Sequence, residues 1–429
     1  MRTLRYGTPE WRRYLAGLPR GGARVPAVER AVAAILRAVR REGDPALVRL
    51  TARLDGVRLD PRRLRVPARE IRARARGADR GLVAALRAMA GQIEAYHRRQ
   101  LESGFRMRLP DGSLLEEVVA PLSSVGLYVP GGAGAYPSSV LMNAIPARVA
   151  GVPRIAVVTP PRTLERSPAV AAALVLAGLE DSVYRVGGAQ AVAALAYGTR
   201  TVPAVDKIVG PGNAYVAAAK RQVRGQVEID HDAGPSEVVV LADDTAKASL
   251  VAADLLAQAE HGSGGETVVL VTSSRALGTE ARRLVAAGLS GVANPAAALR
   301  ALKGQGAVVL VRDTEEGVAA VNALAPEHVE VMTRRAGLVA RRLVAGAVFV
   351  GPWAPVAAGD YGVGPNHVLP TGGAARHASP LSVRDFQRRQ SRVRLTRSGL
   401  RRIAEGVVRV ARAEGFPGHA RSVLTRFES

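Results

Sequence analysis

The sequence predicts an α/β protein of two doubly wound domains with mostly parallel sheets, flanked by a helical N-terminal region and a helical C-terminal tail. Three observations predict it. Short apolar, β-branched runs alternate with Ala-rich stretches over residues 125–230, at VGLYV, RIAVVTP, VYRVG, DKIVGPG and QVEID. The scheme repeats over 236–351 at SEVVVLAD, ETVVLVTS, AVVLVRD, HVEVMT and GAVFVG. Because these runs are continuously apolar rather than alternating, they suit strands covered by helices on both faces. The chain has 429 residues and 48% hydrophobic content, enough for two or more cores. Two Rossmann-like domains of about 110 residues each follow.

The flanking elements follow in chain order. The start, MRTLRYGTPEWRRYLAG, lacks the apolar segment of a signal peptide and reads as an arm over 1–24. Residues 26–100 read as helices, with AVERAVAAILRAVRREGD and a stretch ending GQIEAYHRRQ. Pro and Gly cluster at 350–374, where regular structure is not expected. Residues 381–429 form a basic, helix-prone tail that begins LSVRDFQRRQ and holds a helix from about Leu400 to Ala413. No apolar run approaches the roughly 18 residues of a membrane span, so the expectation is a soluble, cytoplasmic protein without a membrane partner.

Charge and cysteine usage exclude several classes. The formal net charge is +23, which invites nucleic acid as a partner. Yet of 60 basic residues only four are Lys, and the 56 Arg are spread along the chain rather than gathered in a patch. Aromatic content is 4%, too sparse for base-stacking platforms, and no helix-turn-helix, zinc-finger or RNP signature occurs. Nucleic acid is not expected as the main partner. With no cysteine, disulfides, thiolate metal sites and covalent thiol catalysis are excluded. Any metal must use His, carboxylate or amide ligands.

Several stretches carry candidate chemistry, each with an ordinary structural explanation beside it. YVPGGAGAY (128–136), VGGAQA (186–191) and IVGPGNAYVAAAK are glycine-rich strand ends, the last leading through Asn213 into a helix. Backbone N–H groups at such helix starts bind anions, although none matches G-x-G-x-x-G and each alone is compatible with a tight turn. In DLLAQAEHG, a helix places Asp254, Gln258 and His261 on one face with Lys247, before Gly262 stops it. That face is either solvated or a ligand set. In APEHVEVMT, Pro326 ends a helix and Glu327 with His328 opens a strand, as a general base pair or as a polar strand edge. AAGDYGVGPNHVLPTGG puts Asp360 and His367 in an irregular loop. AEGFPGHA spaces Glu414 and His419 five apart, as ligands or as a helix cap and frayed end.

Ten motifs in series resemble the histidinol dehydrogenase family in order and spacing over essentially the whole chain. They are GLYVPGG, PSSVLMNAIPA, VGGAQA, VGPGNAYVAAAK, AGPSE, LLAQAEHG, APEHVE, GDYGVGPNHVLPT, PLSVRDFQ and EGFPGHA. The resemblance implies one Zn(2+) per site, held by residues matching the family's ligands: Gln258, His261, Asp360 and His419. An all-N/O set suits zinc, with cobalt or manganese as substitutes. It implies Glu327 and His328 as the catalytic pair, with Ser236, His367 and Glu414 completing the substrate contacts. Tyr128, Gln190 and Asn213 match the dinucleotide contacts. The implied reaction is the four-electron oxidation of L-histidinol to L-histidine through the bound aldehyde, consuming two NAD. The family is a homodimer whose tail crosses to the partner.

The expected division is therefore an arm at 1–24; a first α/β domain from 25–122 with 236–380, carrying the metal site; a second at 123–235, carrying the dinucleotide contacts; and the exchanged tail at 381–429. The segment IDHDAGPSE departs from the family's apolar lead into AGPSE, and His231 with Asp232 is read as a surface turn. His97 and His377 match no motif and are read as structural. Two rival readings stand: a same-superfamily zinc and NAD enzyme acting on another small polyol or hydroxysulfonate, and an RNA-associated protein using the basic surface. The presence of Glu414, His419 and His367 favours histidinol over the first.

Overall fold

The computed structural model describes residues 1–20, 25–131, 136–232 and 234–428, which fall into two compact units. The first unit comprises Met1–Gln100 and Leu122–Phe386; the second comprises Leu101–Pro121 and Gln387–Ser429.

The first unit contains a five-stranded and a six-stranded sheet. The five-stranded sheet runs in the order Val183–Arg185, Arg154–Thr159, Ser124–Tyr128, Lys207–Val209, Glu228–Ile229. The six-stranded sheet runs Arg2–Arg5, Ala307–Leu310, Thr267–Thr272, Glu237–Ala242, His328–Met332, Ala347–Val350. Every pairing in both is parallel. All ten strands expected from the apolar runs are present. An eleventh, Arg2–Arg5, edges the six-stranded sheet with only Leu4 buried, so it carries no apolar run to read.

Both faces of each sheet are buried, which is why the strands lack polar alternation. In the five-stranded sheet Val125, Leu127 and Val157 pack on one side, and Ala156, Val158 and Ile208 on the other. In the six-stranded sheet Val239, Leu241 and Val269 oppose Val238, Val240 and Leu270. Helices Pro26–Glu42 and Asp44–Leu54 cover one face of the five-stranded sheet through Val32, Leu36 and Leu47. Arg80–Arg98 covers the other through Leu86, Met89 and Ile93. In each sheet the strand order reverses once, between Ser124–Tyr128 and Lys207–Val209 and between Glu237–Ala242 and His328–Met332. Such reversals open crevices where connections part to opposite faces.

The second unit holds a three-stranded antiparallel sheet, Gln387–Arg394, Leu114–Pro121 and Phe105–Arg108, with helices Arg397–Ala413 and Pro417–Leu424. Two expectations are corrected here. The tail does not begin as helix: a short 3₁₀ turn, Val383–Phe386, leads into the strand QRRQSRVR. That strand is mostly exposed and carries little apolar alternation; backbone pairing with Leu114–Pro121 and ion pairs from Arg389 to Glu102 and Glu117 hold it. Nor does EGFPGHA fray. Gly415, at φ +79°, ends one helix and Pro417 starts the next. Among the described residues no helix is long and apolar enough to cross a membrane.

Candidate active site

The carboxyl ends of the five-stranded sheet open into a cavity of about 1300 Å³. Tyr128, Gln190 and Asn213 all line it, although they stem from three different strand ends. Tyr128 closes the central strand, and its hydroxyl accepts the Gly188 N–H at 3.1 Å. Burial pushes its phenol up to about 12. Gln190 is 1% exposed; its Nε2 donates to Asp55 Oδ2 at 3.2 Å, while its Oε1 has no partner. Asn213 caps the helix Ala214–Val223, its Oδ1 accepting the N–H groups of Tyr215 at 3.0 Å and Val216 at 3.1 Å. The turn before it is braced from both sides: Gly210 N–H donates to Asp230 and Gly210 O accepts from Lys220. Gly210 has φ +113°, and a Cβ there would collide with the Tyr128 carbonyl. Residues 132–135 of the first glycine-rich turn lie outside the described residues.

The second group of expected residues gathers around the six-stranded sheet. The helix expected to carry Gln258 and His261 together ends at Ala259, so His261 stands in the following turn, its N–H on Gln258 O at 3.3 Å. The solvated-face reading of that helix fails at Gln258. Its side chain is 2% exposed, and neither Oε1 nor Nε2 has a hydrogen-bond partner. Asp254, one turn earlier, faces the Glu330 carboxyl instead. Asp360 is not in irregular loop but on the short helix Val356–Tyr361. Only one turn of helix forms between Pro355 and Gly362, too short to give a periodic signal. His367 does lie in irregular chain, with Nδ1 3.2 Å from Asp360 O and 3.9 Å from its carboxylate.

Electrostatics ties these groups to the pair Glu327–His328. His261 acts on Asp360, His367 and His328, and Asp360 acts on Glu327. Burial dominates each shift: Asp360 is pushed up to about 6, and His367 and His328 down to about 4. Burial likewise holds Glu327 well above the usual carboxylate range, with Glu237 and Asp360 adding repulsion. Ser236 hydrogen-bonds the Glu327 carboxylate. His328 Nδ1 lies 3.0 Å from the Glu237 backbone carbonyl. Since a carbonyl only accepts, Nδ1 carries the proton and Nε2 keeps its lone pair. The arrangement is a neutral imidazole base beside a buried carboxyl group.

The remaining expected residues fall elsewhere. Glu414 and His419 belong to the second unit, where both are exposed at the junction of its two helices. Among the described residues no three His, Asp or Glu side chains could together hold a metal. A buried amide with both polar atoms unpartnered, an imidazole and a carboxylate are donor types a divalent cation takes, so Gln258, His261 and Asp360 fit one by their chemistry. His97 is structural as expected, fully buried with Nδ1 2.7 Å from Ile93 O, and His377 is exposed. The surface-turn reading of His231 and Asp232 is corrected: Asp232 pairs with Arg221, and His231 Nε2 is buried without a partner. Sequence reasoning passed over Glu237, Glu330 and Asp55. The signal for the first two is an acidic residue among the Val-rich positions of a buried strand.

Comparison with known proteins gives the family. The histidinol dehydrogenase family model matches residues 18–427. Histidinol dehydrogenase of Syntrophotalea carbinolica is 45% identical over 430 residues, covering 100% of this chain and 99% of that protein. That of Gluconobacter oxydans is 48% identical over 400 residues, covering 92% of each. The crystal structure of histidinol dehydrogenase from Elizabethkingia anophelis superposes with a TM-score of 0.92 at 33% identity, covering 100% of this chain and 98% of that one. On these matches, which run over nearly its whole length, the chain belongs to the histidinol dehydrogenase family of oxidoreductases.

Proposed function

We propose that the chain carries out the last steps of histidine biosynthesis, the NAD-dependent, four-electron oxidation of L-histidinol to L-histidine through bound L-histidinaldehyde, as a cytoplasmic homodimer with one zinc per site. The observation that carries this is the Glu327–His328 pair. His328 is held neutral by burial and presents a free Nε2, which accepts the substrate hydroxyl proton as the carbinol C–H hydride departs. NAD, when bound in the cavity of Tyr128, Gln190 and Asn213, supplies the hydride acceptor in both steps. Glu327 then takes a proton from water, whose oxygen adds to the aldehyde; the hydrate loses the second hydride and gives its remaining hydroxyl proton to His328, neutral again, leaving as the carboxylate. Ser236 and the Glu237 N–H both hydrogen-bond Glu327 and favour the ionised form that this step requires.

Gln258, His261, Asp360 and His419 of the partner subunit would hold the zinc, which when bound supplies a template for the substrate's imidazole and amino nitrogens. His367 and the partner subunit's Glu414 complete the substrate contacts. Without cysteine, the aldehyde cannot be stored as a thiohemiacetal, so enclosure and coordination retain it. The test is NADH formation from L-histidinol before and after dialysis against a chelator. The reading expects turnover that is lost with the metal and restored by zinc. Turnover of another small alcohol, with none of histidinol, would refute it.

A further inference from the structure

We infer that Glu237 is a positioning residue for the Glu327–His328 pair, resting on the reading above that this pair performs the chemistry. Glu237 is an acid, 7% exposed, opening the strand EVVVLA whose other residues are apolar and buried. A carboxyl group at such a place is costly unless its hydrogen bonds are made. Three separate groups of Glu237 meet the pair. Its N–H donates to Glu327 Oε2 at 2.9 Å. Its own carboxylate Oε2 accepts the Glu327 N–H at 3.2 Å. Its carbonyl accepts from His328 Nδ1 at 3.0 Å.

The register explains why one residue reaches both. Val238 stands opposite His328 in the parallel pairing, so Glu237 and Glu327 share the amino-terminal edge of adjacent strands. A regular parallel ladder needs only backbone partners there. The reciprocal side-chain bonds therefore add a constraint, locking the direction of the Glu327 carboxyl and the level at which His328 enters the strand. The same carboxylate lies against the N–H groups of Gly372 and Gly373, at the end of the loop that carries His367. Both glycines have positive φ, +63° and +72°, which turns the loop back towards Glu237. One side chain thus joins the catalytic pair to a proposed substrate contact.

A purely structural acid would lower stability and leave the turnover of folded enzyme unchanged; a positioning residue lowers kcat and spares KM. The experiment compares zinc-loaded, full-length Glu237→Ala and Glu237→Gln with the unsubstituted enzyme. For Glu237→Ala, kcat should fall by about 30- to 100-fold with KM for histidinol within about twofold. Glu237→Gln keeps an acceptor for the Glu327 N–H and should recover to within about tenfold of the unsubstituted rate. It also serves if the Ala variant does not fold. Unchanged kcat in a folded Ala variant, or a Gln variant no better than Ala, overturns the inference. Hydrogen exchange of the Glu327 amide gives a readout independent of turnover: protected by the Glu237 carboxylate in the unsubstituted chain, and exposed in a folded Ala variant. If the unsubstituted chain oxidises no histidinol, the functional reading fails, and the exchange alone decides the positioning role, retained protection in the Ala variant refuting it.

Discussion

Replacing Gln258 with Leu should make the metal-free protein more stable, the reverse of what a buried polar substitution in a finished core does. Gln258 sits in the last turn of the helix Ala248–Ala259, 2% exposed, with neither Oε1 nor Nε2 hydrogen-bonded. An unsatisfied buried polar group costs about 1–3 kcal/mol, and Leu has similar volume and helix propensity. In chelator, Gln258→Leu should therefore gain about 1–3 kcal/mol over the parent. With zinc at a hundred times its Kd, the parent gains about 2.7 kcal/mol from binding while the variant, one ligand short, gains less. The gap should close or reverse. Urea unfolding followed by circular dichroism, in chelator and in zinc, reads both effects. A variant less stable than the parent in chelator, with equal zinc stabilisation in the two proteins, would show that Gln258 has other partners and is no ligand.

Three further outcomes follow from the same geometry. Burial and the facing Asp254 raise Glu330 to about 8, so its contribution to stability is fully present below its unfolded value near 4.5 and is lost as pH rises through about 8. Glu330→Gln keeps an acceptor for the Val356 N–H; it should exceed the parent's urea midpoint at pH 8 and lose that advantage at pH 5. Asn213→Ala removes two bonds to the start of its helix, costing about 1 kcal/mol of stability, and should raise KM for NAD about fivefold in initial-rate assays. Mixing refolded His419→Ala and His328→Ala chains, each inactive alone, should regain about a quarter of parental activity, because half of random dimers carry one intact site. No recovery in mixed dimers would refute an exchanged tail.

Ten strands of the two parallel sheets were legible in the sequence because burial on both faces leaves apolar runs such as EVVVLA and TVVLVT. The strands RTLR and QRRQSRVR were not. RTLR buries one side chain and QRRQSRVR none, so backbone pairing holds both where hydropathy is silent, with Arg–Glu contacts added in the second. Single motifs also misled on local structure. The helix of Gln258 stops two residues before His261, and an isolated turn of helix carries Asp360, since ends and short helices depend on tertiary contacts. The wheel placed Gln258 on a wet face because it treats a buried amide and a solvated one alike. Resemblance across ten motifs named the site residues, but it passed over Glu237 and Glu330, whose partners come from distant parts of the chain.

Those partners have a common logic. The Glu–His pair stands at the amino-terminal edge of one parallel sheet, whereas the cavity lined by Tyr128, Gln190 and Asn213 opens at the carboxyl edge of the other. At the first edge the buried N–H groups of Glu237 and Glu327 are each satisfied by the other's carboxylate.

The most direct test of the central claim is the stoichiometry of a single exhaustive reaction. With limiting L-histidinol, excess NAD and zinc-loaded enzyme, two NADH should form per histidinol consumed, with histidine as the sole product. One NADH per histidinol with free aldehyde in solution, or none, would contradict it.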